Sequence, residues 1–509
     1  MPLVEETTLP SDPPLTVPVV IIGNGPSGIC LSYMLSGYRP YLCPEAVHPN
    51  PILLNKLEEG RHLSIPEQDL EYLSEGLEGR SANPVAVLFD SLLHPNADFG
   101  YDYPSVLQWK LEQDHYIPHL VLGKGPPGGA WHDMEGSMLT LSLGDWMELP
   151  GLKFKDWVLG KRRNLKTDRA TPAEVASYYK QYVKVMGLQR NFIDNTYITS
   201  VTKPFREQDE SGSHDNEDAS SEPCIQKEND QSVLKKNWEI QGYQRAADDS
   251  HQSFCLFAET LVLATGTFDA PARLGVNGED LPYVSHSVTE FESAVIKGKL
   301  NGIVDPILIV GAGLTAADAV LCAYNNKIPV IHAFRRRIND PSLIFKQLPK
   351  KLYPEYHKVY HMMCTQTYST GSKLHPTYTS YPEHFVFSFN HDMECVLQSN
   401  SGLKKVLKVS MALVLIGSHP NLSFLKEMGR SLGHNPNQNI TCKSNPVEID
   451  PFTYEAIKEP NLFALGPLVG DNFIRFLKGG ALAITRCLEI RQKTKRQDIV
   501  EASVNDSVS

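Results

Sequence analysis

The 509-residue chain lacks any hydrophobic run long enough to cross a membrane as a helix. Its longest uncharged apolar runs, Val17–Gly23 and Met411–Gly417, are far shorter than the roughly 20 residues that a spanning helix needs. The first fifteen residues are acidic and proline-rich, without the basic start and apolar centre of a secretory signal. We therefore expect a cytoplasmic, intracellular protein with no transmembrane segment.

Cysteine is scarce and scattered. The chain has nine cysteines, and even the nearest pair, Cys30 and Cys43, is 13 residues apart. An odd number without a CxxC pair excludes a disulfide framework, a zinc knuckle and a thioredoxin-type redox pair. His357 and His361 could face one way on a helix, as two zinc ligands would, but no third ligand follows from the spacing. We predict no metal site.

Two catalytic motifs are also absent: the GxSxG of serine hydrolases and the lysine-bearing phosphate loop of ATPases. An excess of basic charge is missing too, because 48 basic and 59 acidic residues give a net charge of −11. Nine acids and one lysine between Glu207 and Gln231 contribute −8, which leaves −3 for the rest. A near-neutral body excludes nucleic-acid binding through a basic surface.

The acidic insert, residues 206–232, has the composition of a disordered loop. We favour a passive surface insertion, and a segment that binds protein partners is the alternative. The remaining chain contains five apolar runs that end in glycine and alternate with helical patterns, which predicts parallel α/β sheets. These runs are Val17–Gly23, Glu259–Gly266, Ile307–Gly311, Met411–Gly417 and Asn461–Gly466.

The first run leads into GNGPSG, residues 23–28, and then into a helical pattern. In such a loop the glycines permit a tight turn, close approach of a pyrophosphate and close packing of helix on strand, while the helix N-terminus faces the phosphates. Glu45 follows Gly23 by 22 residues, the spacing at which a carboxylate accepts the ribose hydroxyls. The alternative is a surface position for Glu45. The predicted dinucleotide ligands here are Gly23, Gly25, Pro26, Ser27, Gly28 and Glu45.

The second loop, GAGLTA at 311–316, repeats the pattern with alanine in place of the third glycine. Its predicted ligands are Gly311, Gly313, Leu314 and Thr315. The next strand ends in Arg335, Arg336 and Arg337, and guanidinium groups pair with a 2′-phosphate where an acid would repel it. We therefore predict NADPH, bound by Arg335 and Arg336. An exposed basic turn and a nuclear-import patch are the alternatives.

Two such loops in one chain predict two Rossmann-like domains that exchange electrons between dinucleotides. We expect FAD in the first and NADPH in the second, with the NADPH domain inserted into the FAD domain. The predicted boundaries are a flexible N-terminus at 1–16, the FAD domain at 17–290 and 426–495, the NADPH domain at 291–425, and a flexible tail at 496–509. A Tyr- and His-rich insertion at 351–391 is expected on the substrate side.

Five motifs follow one another in the chain: GNGPSG, GGAW, ATG, GAGLTA with the arginines, and LFALGPLVGDN. In this order they resemble the motifs of the class B flavin monooxygenases, and the resemblance extends over about residues 17–490. More narrowly, the chain resembles the oxidative-stress-induced growth inhibitor family. The resemblance implies an NADPH-dependent flavin monooxygenase that oxygenates a small molecule with O₂ through a C4a-hydroperoxyflavin. It also implies links to growth, differentiation, meiosis, cell death and cytokinesis, with the midbody or nucleus as further locations.

The resemblance further implies positions beside the cofactor. No catalytic side chain is assigned, because the chemistry belongs to the flavin. The positions expected to bind cofactor are Gly128, Gly129, Trp131, Thr265, Gly266, Gly466 and Asp471. Those expected on the flavin side are Trp131, Thr140, Ser142, Asp145 and His286. For Trp131, ordinary core packing is the alternative.

The chain departs from the family pattern at the FxGxxxH linker, where Asp280 and Pro282 replace Phe and Gly, and only His286 matches. This departure leaves two alternatives to the monooxygenase open. One is a catalytically degenerate regulatory protein that binds nucleotide. The other is an NADPH oxidase or dehydrogenase that does not oxygenate a substrate.

Overall fold

The computed structural model describes residue 9 and residues 14–134, 139–159, 169–203, 238–300, 305–367 and 377–506. The chain divides into two compact units: Met1–Thr267 with Pro420–Ser509, and Phe268–His419. The predicted fold class, two α/β units with parallel sheets and the second inserted into the first, is confirmed. The acidic insert lies outside the described residues. The domain boundaries assigned to the two cofactors stay a prediction.

The first unit has a seven-stranded sheet in the order β5-β4-β1-β8-β7-β6, with β19 also paired to β8. Its strands are β1 (Leu15–Ile22), β4 (His119–Leu122), β5 (Phe192–Ile193), β6 (Thr196–Thr202), β7 (Trp238–Arg245), β8 (His251–Leu263) and β19 (Leu462–Ala464). β1 pairs in parallel with β4 and with β8, and its central valines and isoleucines are buried. Burial on both faces is typical of a parallel strand and explains why this run is apolar throughout.

A separate two-stranded ribbon pairs β2 (Tyr38–Leu42) with β3 (Leu107–Leu111) in antiparallel register. From the sequence, a second strand is expected at roughly Pro40–Cys43, in the same unit as the first strand and its glycine loop. The strand exists, but it does not lie beside β1. Instead β1 has β4, which is separated from β2 by residues 43–118, as its parallel neighbour on one side and β8 on the other. Helical insertions are expected from the sequence at Pro49–Tyr103, and the intervening segment does contain three helices.

The helices of the first unit are α1 (Pro26–Leu35), α2 (Pro51–Glu59), α3 (Leu70–Ser74), α4 (Pro84–Leu93), α5 (Phe154–Leu159), α6 (Pro172–Val185) and α11 (Ile474–Asp506). Four of them begin with proline, whose fixed φ and missing N–H suit the first helical position. Thr171 and Glu174 form a capping box at the start of α6. α11 continues to Asp506 and thus includes most of the segment predicted as a flexible tail.

The second unit has a five-stranded parallel sheet in the order β10-β17-β11-β12-β13 and a three-stranded antiparallel sheet, β14-β15-β16. Its strands are β9 (Ala270–Pro271), β10 (Val284–Ser285), β11 (Ile307–Val310), β12 (Val330–Phe334), β13 (Tyr378–Pro382), β14 (His384–Asn390), β15 (Glu394–Ser399), β16 (Lys404–Lys408), β17 (Met411–Val414) and β18 (Ser418–His419). Its helices are α7 (Val288–Ile296), α8 (Leu314–Asn325), α9 (Ile344–Gln347) and α10 (Pro354–Thr365). Part of the Tyr- and His-rich insertion forms α10, β13 and β14. Among the described residues, no helix combines the length and apolar character needed to span a membrane.

Candidate dinucleotide sites

The first glycine loop joins β1 to α1, as predicted. Gly23 has a φ of +115°, and a Cβ atom there would lie 2.3 Å from the carbonyl oxygen of Ala264, so only glycine fits. Gly25 differs, because no heavy atom lies within 4 Å of the position its Cβ would take. The loop therefore packs tightly on the neighbouring strand and leaves open space at its middle glycine, where a pyrophosphate would lie in this type of loop.

The GGAW segment lies directly against this loop. The N–H of Gly128 donates to the carbonyl of Asn24 over 2.9 Å, and the Asn24 side-chain amide donates to the carbonyl of Gly125 over 2.6 Å. A Cβ on Gly129 would lie 3.0 Å from the Cα of Gly25. The structure thus brings Gly128 and Gly129 to the first loop, and Trp131 follows on a short 3₁₀ helix, partly buried against the core.

Two further segments meet the first loop at the carboxyl ends of β8 and β19. Thr265 follows β8, and its hydroxyl oxygen is buried without a hydrogen-bond partner among the described residues. Gly266 is next, with a φ of +68°. Gly466 follows β19, and a Cβ there would lie 2.3 Å from the Ser27 hydroxyl. An open glycine position and an orphaned hydroxyl fit a bound dinucleotide.

Glu45 does not belong to this arrangement. It lies in an exposed turn after β2, whose strand partner is β3. At the carboxyl end of β4, the strand that flanks β1, stands Gly123, where a Cβ would lie 2.0 Å from the Asn24 amide nitrogen. An exposed lysine, Lys124, follows. The predicted ribose contact of Glu45 has therefore lost the strand pairing on which it depended.

The carboxylate of Asp471 is bound within the protein. Ser81 donates to it over 2.6 Å and Tyr454 over 2.9 Å, and its own N–H donates to the carbonyl of Gly466. Burial raises the pKa of Asp471 to about 6, against the opposing effect of these hydroxyl donors. Ser81 and Tyr454 carried no signal in the sequence. The contacts make Asp471 a residue that holds the Gly466 turn.

Thr140 and Ser142 lie on a short stretch that is fixed by its own backbone and by Arg169. The Thr140 N–H donates to the carbonyl of Ala170 over 2.7 Å, and its hydroxyl donates to the carbonyl of Ser142 over 2.7 Å. Arg169 donates to the Thr140 carbonyl over 2.6 Å. Asp145 is exposed on the 3₁₀ helix Gly144–Met147 that follows. Residues 135–138 just before this stretch are outside the described ranges.

Three buried tyrosines of α6 hold the next segment, Met147–Leu152, through its main chain. Tyr178 accepts from the Leu149 N–H over 2.9 Å and donates to the carbonyl of Leu152 over 2.6 Å. Tyr179 and Tyr182 donate to the carbonyls of Met147 and Pro150. No motif in the sequence indicates these bonds.

Arg475, in the first turn of α11, is another residue whose role no sequence pattern indicated. It forms a bidentate ion pair with Asp90 and a second pair with Asp98 over 2.9 Å. Its guanidinium carbon lies 4.7 Å from the ring centre of Trp146. One buried cation thus ties α4, the loop after α4 and the Gly144–Met147 turn to the start of α11.

In the second unit, the loop Gly311–Ala316 joins β11 to α8, and β12 pairs with β11 in parallel, as predicted. Gly311 has a φ of +130°, and a Cβ would lie 2.2 Å from the carbonyl oxygen of Leu415. Gly313 has no heavy atom within 4 Å of its Cβ position. Leu314 begins the helix and Thr315 is exposed beside it. Open space at the middle glycine fits a dinucleotide in this loop as well.

The loop is supported from below by His332, a buried residue of β12 that the sequence did not single out. One ring nitrogen lies 2.6 Å from the Gly311 carbonyl oxygen and the other lies 2.7 Å from the Tyr378 hydroxyl. Burial lowers the pKa of His332 to about 4, so it is neutral at physiological pH. This neutral histidine holds the Gly311 turn in place, and it offers no positive charge to a bound dinucleotide.

The three arginines after β12 are all exposed but are not equivalent. Arg336 donates to the Ser342 carbonyl and hydroxyl, and Arg337 pairs with Glu383 over 3.0 Å. Arg335 forms no hydrogen bond or ion pair with any described residue. It follows β12 directly, so Arg335 is the guanidinium available to a phosphate at this strand end.

His286 lies after β10 and is paired with Glu279. Its ring nitrogen is 2.9 Å from the carboxylate, which also accepts the N–H groups of Leu274 and Gly275, each over 2.8 Å. Burial alone would raise the pKa of Glu279, but these donors outweigh it and lower the pKa. The pair pins the loop between β9 and β10, and a flavin-side role for His286 stays a prediction.

No protein-family model matches the chain. Among solved structures, it is similar to the bacillithiol disulfide reductases from Staphylococcus aureus and Bacillus cereus, with TM-scores of 0.56 and 0.54. In each case the sequences are 15% identical, and the match covers 94% of this chain and 99% of the reductase. At that identity the likeness concerns the fold.

Among curated proteins, the chain is 71% identical over 509 residues, all of both chains, to human oxidative stress-induced growth inhibitor 2. It is 49% identical to human oxidative stress-induced growth inhibitor 1 over 480 residues, 94% of this chain and 96% of the relative. Both matches extend across both structural units. The chain belongs to the oxidative stress-induced growth inhibitor family.

Proposed function

We propose that this protein is an oxidoreductase that binds FAD in its first unit and NADPH in its second, and that it acts as a monooxygenase on a small molecule with O₂. The observation that carries the proposal is the pair of glycine loops, each packed tightly at its first glycine and open at its middle glycine. The names of the relatives add a proposed role in growth control.

FAD would be held by the loop at Gly23, Gly25, Pro26, Ser27 and Gly28, with Gly128, Gly129, Thr265, Gly266 and Gly466 around it. The helix N-terminus at Pro26 offers unpaired N–H groups to the pyrophosphate. The orphaned hydroxyl of Thr265 would gain its partner from the ligand. Trp131, Thr140, Ser142 and Asp145 are proposed to lie on the ring side, with Asp471 acting through the Gly466 turn.

NADPH would be held by Gly311, Gly313, Leu314 and Thr315, with its 2′-phosphate on Arg335. Arg336, bound to Ser342, is the weaker of the two predicted phosphate ligands. A bound flavin would supply the electron transfer and the activation of O₂. The chain's own task is to bind and orient the two dinucleotides and to exclude water from the ring.

The proposed domain boundaries, compartment and protein partners are those expected from the sequence. The cofactor domains are proposed at 17–290 with 426–495 and at 291–425, and the cytoplasm is the proposed compartment. Protein partners would use the acidic insert, outside the described residues. A regulatory protein that binds nucleotide without turnover is a second candidate. It is favoured by Gly123 at the end of β4, where a ribose-binding carboxylate would be expected.

The proposal is tested by adding NADPH to purified, flavin-loaded protein in air and following absorbance, NADPH and H₂O₂ together. A monooxygenase should consume little NADPH until a substrate is supplied and should then release little H₂O₂. Equal amounts of NADPH consumed and H₂O₂ released would identify an oxidase. Bound dinucleotides without any turnover would identify the regulatory candidate.

A further inference from the structure

Lys478, in the second turn of α11, is a buried lysine that no carboxylate of the described residues contacts. Its side chain is 2% exposed, and its Nζ lies 3.4 Å from the Nε2 of His94. Among the described residues, no acidic oxygen lies within the 4.0 Å of an ion pair. An ammonium group has three donors, and His94 can accept from only one of them.

The acids that face Lys478 are engaged elsewhere. Asp90 of α4 is bound by Arg475, and Glu148 accepts the N–H of Phe154 over 3.2 Å. Burial lowers the pKa of Lys478, and the neighbouring cation Arg475 adds to that effect, whereas the carboxylates of Glu148 and Asp90 oppose it. Burial also lowers the pKa of His94 well below its usual value, so His94 is neutral and can accept a hydrogen bond.

The position of Lys478 points to the first dinucleotide site. It is near enough to Cys30 to influence that thiol electrostatically; Cys30 lies two residues after Gly28 in α1, and α1 packs on α11. Gly466, eight residues before the start of α11, packs on Ser27 of the first glycine loop. Lys478 therefore lies on the helix that packs against α1 and close to the first turns of α1, which the first glycine loop opens.

A buried cation without a contacting anion is costly. A bound ligand that carries negative charge would offset that cost. We propose that Lys478 supplies the positive charge that balances the negative charge of the bound flavin dinucleotide. This inference rests on the proposed binding of FAD. The charge that it balances is carried by the pyrophosphate or by the reduced ring.

The test compares Lys478→Met with Lys493→Met in the full chain. Methionine keeps the length and removes the charge, and Lys493 lies on the same helix with its side chain 58% exposed. We expect the Kd for FAD, measured by quenching of flavin fluorescence, to rise about tenfold in Lys478→Met, as for a unit charge removed about 10 Å away at an effective dielectric constant of about 20. Lys493→Met should stay within about twofold.

The second arm measures the affinity of the flavin-loaded protein for sulfite, which adds to the ring and leaves it negatively charged. A weaker sulfite complex in Lys478→Met would place the effect at the ring, and a weaker FAD complex alone would place it at the pyrophosphate. Lys478→Gln, which keeps a polar end, must behave like Lys478→Met. Both affinities within twofold of wild type would overturn the inference and leave the proposed function intact. A wild-type chain that takes up no FAD would overturn both.

Discussion

Gly23 and Gly311 occupy equivalent positions in the two units. Each follows a buried parallel strand, has a φ above +100° and would place a Cβ within 2.3 Å of a main-chain carbonyl oxygen of the neighbouring strand end. The oxygens belong to Ala264 in the first unit and to Leu415 in the second. In both units this close contact holds the start of the loop against the neighbouring strand end. The middle glycine of each loop stays open to a ligand.

Substitution of the middle glycines should separate binding from folding. Gly25 and Gly313 have φ values of −72° and −91°, which alanine also adopts. Gly25→Ala should therefore keep the wild-type Tm while its methyl group costs about tenfold in FAD affinity. Gly313→Ala should raise the KM for NADPH by a similar factor and leave FAD binding unchanged. Each variant controls for the other, and a joint loss of both affinities would contradict the assignment.

Arg335 should discriminate NADPH from NADH. Removal of a charge-assisted contact to the 2′-phosphate in Arg335→Ala should raise the KM for NADPH by roughly 10- to 100-fold, since such bonds are worth about 1.5–3 kcal/mol. The KM for NADH should not change. Arg337→Ala, which breaks the pair with Glu383, is the matched control and should leave both constants near wild type. Equal effects on the two nucleotides would show that Arg335 does not touch the phosphate.

Asp471 should make stability depend on pH between about 4 and 6. Its pKa is about 6 in the folded chain and about 3.9 in an unfolded one, so the folded state binds the proton more tightly. The free energy of unfolding therefore falls as pH rises through this window. Asp471→Asn cannot ionise, retains an acceptor for Ser81 and can donate to Tyr454. Relative to wild type it should gain about 2 kcal/mol from pH 4 to 6.5 in urea unfolding. A constant difference across that range would disprove the linkage.

The tyrosines of α6 should stabilise the Met147–Leu152 segment by unequal amounts. Tyr178→Phe leaves the Leu149 N–H and the Leu152 carbonyl without their partner, and should cost about 1–3 kcal/mol. Tyr182→Phe loses one bond and should cost about 1 kcal/mol. Tyr197→Phe, at a half-exposed ring stacked on Tyr243, should change stability by less than about 0.5 kcal/mol. Chemical unfolding of the three variants checks this order.

The two glycine loops could be predicted because their signal is local. In each, a buried strand, a glycine pattern and a helix start lie within about twenty residues, and short-range geometry decides the structure. The second strand of the first unit could not be predicted in the same way. β2 reads like the next parallel strand, but an insertion of helices separates it from β4, and the four-residue run of β4 is too short to stand out.

The contacts that surround the loops had no sequence signal at all. Arg475 meets Asp90 across 385 positions of the chain, and Asp471 meets Ser81 across 390. Such pairs are created by the packing of α11 on the inserted helices. No motif or periodicity records them, whereas Arg335 could be proposed from the sequence because it directly follows a predicted strand.

The central claim is that an intact flavin dinucleotide occupies the open loop at Gly25. It is tested most directly by the visible spectrum of the purified chain, with the flavin released by heat and quantified, for wild type and Gly25→Ala side by side. We predict a yellow wild-type protein that releases FAD in an amount close to that of the chain, and a folded variant that retains much less. A colourless wild-type protein that takes up no added FAD, or a variant that binds FAD as tightly as wild type, would contradict the account.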